Sequence, residues 1–166
     1  MTTLVTKQIE NDENYDQKIR VYKTMQLKNV RLHVYKQGTL TDGVLTLSIL
    51  DGTTQIASKT VDYSLLNAIT TNNYWHGFIS FEFDDAVFLS TNPTDVYNEY
   101  TLRFTMSDHT DDSDIYVDIC RDYERWVSNS LSDFKYVPMY GTETTDGITA
   151  EHGDEYPLGI EIYKLN

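Results

Sequence analysis

Five aspartates crowd the stretch MSDHTDDSDIYVD: Asp108, Asp111, Asp112, Asp114 and Asp118. Carboxylate oxygens at that density suit calcium, which takes six to eight oxygens in flexible geometry. Asp108, Asp111, Asp112 and Asp114 are therefore the candidate calcium ligands, and calcium is the one cofactor that the residue types suggest. The spacing lacks the glycine and the closing bidentate glutamate of an EF-hand. A solvated hairpin loop, whose charges discourage edge-to-edge pairing, accounts for the same residues and is the preferred reading.

The second chemistry-bearing stretch is NYWHGFISFEFDD, residues 73–85. Aromatic faces can stack on a sugar or fill a core. Along a strand, Trp75, Gly77, Ile79, Phe81 and Phe83 share one side, while Tyr74, His76, Phe78, Ser80 and Glu82 share the other. Ile79, Phe81 and Phe83 suit a buried face and His76, Ser80 and Glu82 a wet one, so the stretch reads mainly as a core strand. Tyr74 and Trp75 at its mouth, with Trp126 and Tyr140, are the candidate sugar-stacking residues.

Catalytic patterns are missing from the sequence. His33, His76, His109 and His152 stand far apart, and none makes the i, i+4 pair of a helical metal site. There is no Gly-x-Ser-x-Gly elbow and no glycine-rich phosphate loop. With 26 acidic residues, a chance pair at glycosidase spacing carries no weight. Cys120 is the single cysteine, which excludes an intrachain disulfide, and its place in IYVDIC is that of a packing residue. The expectation is a protein that is not an enzyme and has no catalytic residues.

The elements that must position these residues are strands. Ile19 and Val21 alternate with Arg20 and Tyr22, and Val30, Leu32 and Val34 with Arg31, His33 and Tyr35. Leu45, Leu47 and Ile49 alternate with Thr46 and Ser48; Tyr100, Leu102, Phe104 and Met106 alternate with Thr101, Arg103 and Thr105. Ile115, Val117 and Ile119 form a further set, and Leu158, Ile160 and Ile162 close the chain. Turn residues stand at Thr41-Asp42-Gly43, Asp51-Gly52 and Asp84-Asp85. About eight or nine short strands at such spacing predict an all-β, antiparallel β-sandwich. Helix is limited to at most one or two short pieces: DYSLLNAIT, capped by Asp62 or Ser64, and RDYERWVSNSLSDF, which supports a short helix or an aromatic-pinned loop equally.

The chain has 166 residues, which suits one domain with a substantial core. Residues 1–16 are polar and acidic and read as an N-terminal arm, with residues 17–166 as the single sandwich domain. Thirteen basic against 26 acidic residues give a net charge of −13. Binding a polyanion needs clustered Lys and Arg, so nucleic acid is not an expected partner. No membrane-length apolar run and no basic-then-apolar leader occur, so no membrane partner and no Sec export are expected.

The order of features resembles a jelly-roll module of bacteriophage virion proteins, a type similar to carbohydrate-binding-like modules. The resemblance lies in MQLKNVRLHVYKQG, in VLTLSILDG with its Asp-Gly turn, in QIASKTVDYSLL, in NYWHGFISFEF, in AVFLSTNPTDVYNEYTLRF and in the final GIEIYKL. It spans residues 18–165, is a pattern of strands without catalytic residues, and is broken by the long segment 126–153.

The resemblance implies a jelly-roll sandwich and a virion structural protein of a tailed phage, assembled in the host cytoplasm. Such a protein would decorate the capsid or form a head-fibre or tail accessory part, docking on neighbouring virion proteins, with homo-oligomerisation an open alternative. Leu4, Val5 and Ile9 are the expected anchors of a partner-docking arm. The competing implication is a carbohydrate-binding or adhesin-like module that takes a cell-surface glycan through Tyr74, Trp75, Trp126 and Tyr140.

Overall fold

The computed structural model describes residues 5–11, 13–21, 23–68, 77–91, 97–110, 116–121, 134–145, 148–152 and 160–164. They form two antiparallel β-sheets and one single-turn helix. The first sheet contains β1 (Val5–Gln8), β3 (Met25–Gln37), β6 (Gly77–Leu89), β8 (Tyr116–Arg121) and β11 (Ile160–Lys164). The second runs in the order β10 (Ile148–His152), β9 (Phe134–Thr145), β2 (Asn14–Val21), β7 (Asn98–Ser107), β4 (Val44–Asp51) and β5 (Thr54–Asp62).

The strand β3 organises the first sheet. Its 13 residues span roughly 40 Å at the usual rise per residue. That length lets β6 cover one edge while two shorter strands share the other. Ile160 and Ile79 both pair with Leu32, and Ile119 and Gly77 both pair with Val34, so β11 and β8 lie end to end opposite β6. The chain then passes between the sheets repeatedly: β3, β6 and β8 of the first each stand in sequence between two strands of the second, and β11 follows β10 of the second.

Period-two alternation decides what goes inside. Ile19 and Val21, Val30, Leu32 and Val34, Leu45, Leu47 and Ile49, and Leu102, Phe104 and Met106 are all buried in one continuous core. Ile79, Phe81 and Phe83 join it, as the parity of the aromatic stretch predicts. Phe81 from the first sheet meets Phe104 from the second with ring centroids 5.7 Å apart and planes tilted by 59°. Each such side chain contributes on the order of 1.5–3 kcal/mol through removal from water, and tilted aromatic pairs add to that.

The strands number eleven among the described residues, above the eight or nine expected. One of the additions is β1, in the segment read as an arm. Val5–Gln8 pairs with β8 of the same chain in the register Val5 to Arg121 through Gln8 to Asp118. Ile9 is fully buried in the core, and β2 already begins at Asn14. The boundary at residue 16 and the role of Ile9 as a partner anchor are therefore corrected: a short polar stretch hides a strand and a core residue. Between β1 and β2 the Glu13 N–H donates to the Glu10 carbonyl at 3.3 Å, and the Tyr15 hydroxyl donates to the Glu13 carboxylate at 2.7 Å. The other additions, β9 and β10, fall in the long segment 126–153.

The helix α1 (Tyr63–Asn67) forms where the sequence predicts it. The Asp62 carboxylate accepts from the N–H groups of Ser64 and Leu65, satisfying donors that the first turn leaves open. The turn at Asp51-Gly52 also holds, with Gly52 at φ +61° between β4 and β5. The turn expected at Asp84-Asp85 does not end a strand. There β6 bulges opposite β3 and continues to Leu89, because Lys28 reaches across and donates to the carbonyls of Phe83 at 2.6 Å and Asp84 at 3.0 Å.

Candidate functional site

Alternation that sends Leu32 and Val34 inward sends Arg31 and His33 outward, onto the far face of the first sheet. The register then decides their neighbours. Phe78 lies opposite His33 and Ser80 opposite Arg31 on one side, while Tyr163 lies opposite Asn29 on the other. The Arg31 guanidinium carbon sits 4.5 Å from the centre of the Phe78 ring and 4.8 Å from that of Tyr163. A diagonal row of aromatic, cation and aromatic thus crosses three strands. The His33 ring, itself buried, lies beside the row, 6.3 Å from Phe78 and tilted by 48°. Phe78 is 47% exposed and Tyr163 40% exposed, so both rings remain on the surface. Ser80 donates to Asn29 at 3.0 Å beside them.

Cation–π attraction supplies about 0.5–1 kcal/mol per contact at an exposed site. The row therefore holds its own shape, and the arginine does not have to be ordered when something docks on it. Exposed apolar side chains occur elsewhere too, Phe88 at 61% among them, and it is the contiguity of this row that marks an interaction surface.

The outer face of the second sheet is built differently. Arg103 on β7 grips Asp16 on β2 through two bonds of 2.8 Å, and Glu99 takes Arg20 at 3.5 Å and Lys18 at 3.7 Å. The Arg20 guanidinium also lies 4.5 Å from the centre of the Tyr97 ring. Asp16 and Arg103 are direct cross-strand partners, as are Arg20 and Glu99. These charges satisfy one another within the sheet, which suits a wet structural face.

A third cluster joins three connections. The Asn11 side chain accepts from the His109 N–H at 3.1 Å and donates to the His109 carbonyl. The His109 ring, almost wholly enclosed, places Nδ1 3.2 Å from the Asp42 carboxylate. Asp42 also accepts from the Thr110 N–H at 2.9 Å and its hydroxyl at 2.5 Å. These Thr110 bonds, hydroxyl first, hold the Asp42 carboxyl below its ordinary range; desolvation opposes them, and the His109 contact adds a lesser contribution in the same direction as Thr110. Gly43, at φ +115°, lets the chain pass the ring: a β-carbon there would lie 3.4 Å from His109 Cβ and Nδ1 and from the Met106 sulfur. The geometry is that of a clasp between loops.

The structure places the sequence-derived candidates as follows. Ile9 is in the core, and Val5 is in β1 with its backbone paired to Arg121. Tyr140 belongs to β9, whose chain path alone is described, and Cys120 belongs to β8, where it pairs with Thr6. Asp108 is exposed, with the left-handed φ of +53° that suits a turn aspartate. Leu4, Tyr74, Trp75, Trp126, Asp111, Asp112 and Asp114 lie outside the described residues. Among the described residues no group of three His, Cys, Asp or Glu side chains is placed to hold a metal ion. No described helix is long and apolar enough to cross a membrane.

The row of Phe78, Arg31 and Tyr163 is what sequence reasoning missed. The parity of Phe78 and Arg31 was readable, and an exposed phenylalanine on a wet parity was the available signal. Comparison with known proteins finds no matching family model and no matching curated relative.

Proposed function

We propose that this chain is a non-enzymatic virion structural protein of a tailed bacteriophage, a capsid decoration or a head-fibre or tail accessory part. It binds a neighbouring virion protein through the outer face of its first sheet. The observation that carries the contact is the row of Phe78, Arg31 and Tyr163, in which a half-buried arginine is stacked between two exposed rings. Aromatic residues and arginine are the types enriched at interface centres, and a pre-stacked arginine loses little freedom on docking. The virion setting rests on the resemblance of the strand pattern, and the repeated passage between sheets favours jelly-roll connectivity.

Two edges argue for docking by a face over strand addition there. At β5 the register shifts opposite Ile49 and Leu50, and at β6 it shifts opposite Leu27 and Asn29. Bulges of this kind twist an edge away from pairing. Lys59 of β5 also approaches Asp84 of β6, with Nζ 3.8 Å from the carboxylate, so charged side chains stand along both edges.

The test is incorporation. Phe78→Ala, Arg31→Ala and Tyr163→Ala variants are each supplied during particle assembly and quantified in purified particles. Loss of roughly 10- to 30-fold, the scale of interface hot spots, is expected for at least Phe78→Ala. Wild-type incorporation of all three would sink the proposed contact. Specific capture of glycans by the purified chain, abolished by the same substitutions, would replace the assembly role with an adhesin-like one.

A further inference from the structure

We propose that the partner which receives Phe78, Arg31 and Tyr163 is a basic protein surface, one that brings a lysine or arginine to Glu82; this rests on the docking role of that row. Along β6 the outward positions run Phe78, Ser80 and Glu82, followed by the exposed Asp84 and Asp85 at the bulge. Across the sheet, Glu82 lies opposite Asn29, and Asn29 lies opposite Tyr163. Glu82 therefore shares a strand with one ring and a cross-strand line with the other. A partner broad enough to cover both rings covers its carboxylate as well.

A carboxylate taken out of water without a cation is costly, so a cation must be supplied by this chain or by the partner. Among the described residues, no cation comes within ion-pair distance of Glu82 or Asp85. Arg31 is held between its two rings, and Lys28 is turned onto the carbonyls of Phe83 and Asp84. Lys59 approaches Asp84, at 3.8 Å, and neither of the other two carboxylates. A second copy of this chain is a poor occupant, since it brings the same carboxylates and a net charge of −13.

Charge reversal during particle assembly, run beside Phe78→Ala, tests the partner's sign. Glu82→Lys and Asp85→Lys alter exposed side chains and should keep the wild-type urea midpoint. Glu82→Lys should lower incorporation roughly 10-fold through like-charge contact, and Asp85→Lys, farther from the rings, by less. Asp51→Lys, the same change in net charge at the exposed β4–β5 turn, should leave incorporation unchanged. If both reversals stay within about 2-fold of wild type, or exceed it, while Phe78→Ala abolishes incorporation, the basic partner is overturned and the contact face stands. An equal loss with Asp51→Lys would trace the effect to net charge and overturn it too. Full incorporation of Phe78→Ala would remove the face itself, and the basic partner with it. Should Glu82→Lys fail to fold, Asp85→Lys alone decides between these outcomes.

Discussion

Arg103 faces Asp16 directly across β7 and β2, with Nε and one terminal nitrogen each 2.8 Å from a separate carboxylate oxygen. The carboxylate is mostly shielded and the guanidinium about one third exposed. A fork-to-fork pair in that setting is stronger than an ordinary surface ion pair, although water still screens its outer side. Arg103→Met should lower unfolding stability by about 1–2 kcal/mol, and Arg103→Lys should recover only part of it, since lysine cannot bond both oxygens. The double variant with Asp16→Asn should show coupling in a denaturant-derived mutant cycle. Purely additive effects would mean that the two groups do not act together. The Asp16 hydrogen bond chiefly, with the Asp16 charge, raises the Arg103 value in the folded chain against burial. The contribution of a raised group is complete below its unfolded value, already far into the alkaline range for arginine, and is lost only as pH rises through the folded one, so it stays constant across neutral pH.

Asp42 and Asp62 give the opposite dependence. Both carboxyls are lowered from an ordinary value of 3.8, Asp42 chiefly by the Thr110 hydroxyl and Asp62 chiefly by the Ser64 hydroxyl. A lowered folded value adds stability above the unfolded one and loses it as pH falls through the folded one. Wild type should therefore exceed Asp42→Asn and Asp62→Asn by a margin that is constant at neutral pH and shrinks below about 3.8. Urea titrations at stepped pH would show this. A margin that widens on acidification would contradict the assignment of these hydrogen bonds to the ionised carboxyls.

Which residues point inward was legible, because period two is local. Val30, Leu32 and Val34 could be placed on the core side from six consecutive residues. Which residues touch was not legible, because register between strands distant in sequence is set by packing and strand length. Nothing near Arg31 announces that Phe78 and Tyr163 will flank it; that follows from β6 and β11 bordering the same long strand. Asp84-Asp85 misled for a related reason. Two aspartates signal a turn when the chain has no other use for its backbone, and here Lys28 from the neighbouring strand satisfies the bulged carbonyls. The arm misled because VTKQIENDEN carries too few apolar residues to display a period, although Ile9 alone suffices to fix it to the core.

Ile9 separates the two readings of that segment. An arm reserved for a partner would leave the isolated chain indifferent to its loss. A core side chain leaves a cavity, and Ile9→Ala should cost about 2–5 kcal/mol in the isolated protein. Chemical denaturation of the purified chain measures it directly. A change within about 0.5 kcal/mol, the range of ordinary surface substitutions, would return the segment to the role of a docking arm.

Phe78 and Phe81 stand on the same strand with opposite duties, and the contrast is the sharpest test of the contact face. Phe81 is fully buried against Phe104, whereas about half of Phe78 is in water. Truncating Phe81 to alanine should cost about 3–5 kcal/mol, since the sheets cannot close fully over the space left behind. Phe78→Ala removes a ring that is about half exposed, and should cost under about 1 kcal/mol. A residue that is dispensable for stability yet required for particle incorporation is doing its work in a complex. If Phe78→Ala unfolds the chain as severely as Phe81→Ala, the ring belongs to the scaffold, and the proposed contact loses its central residue.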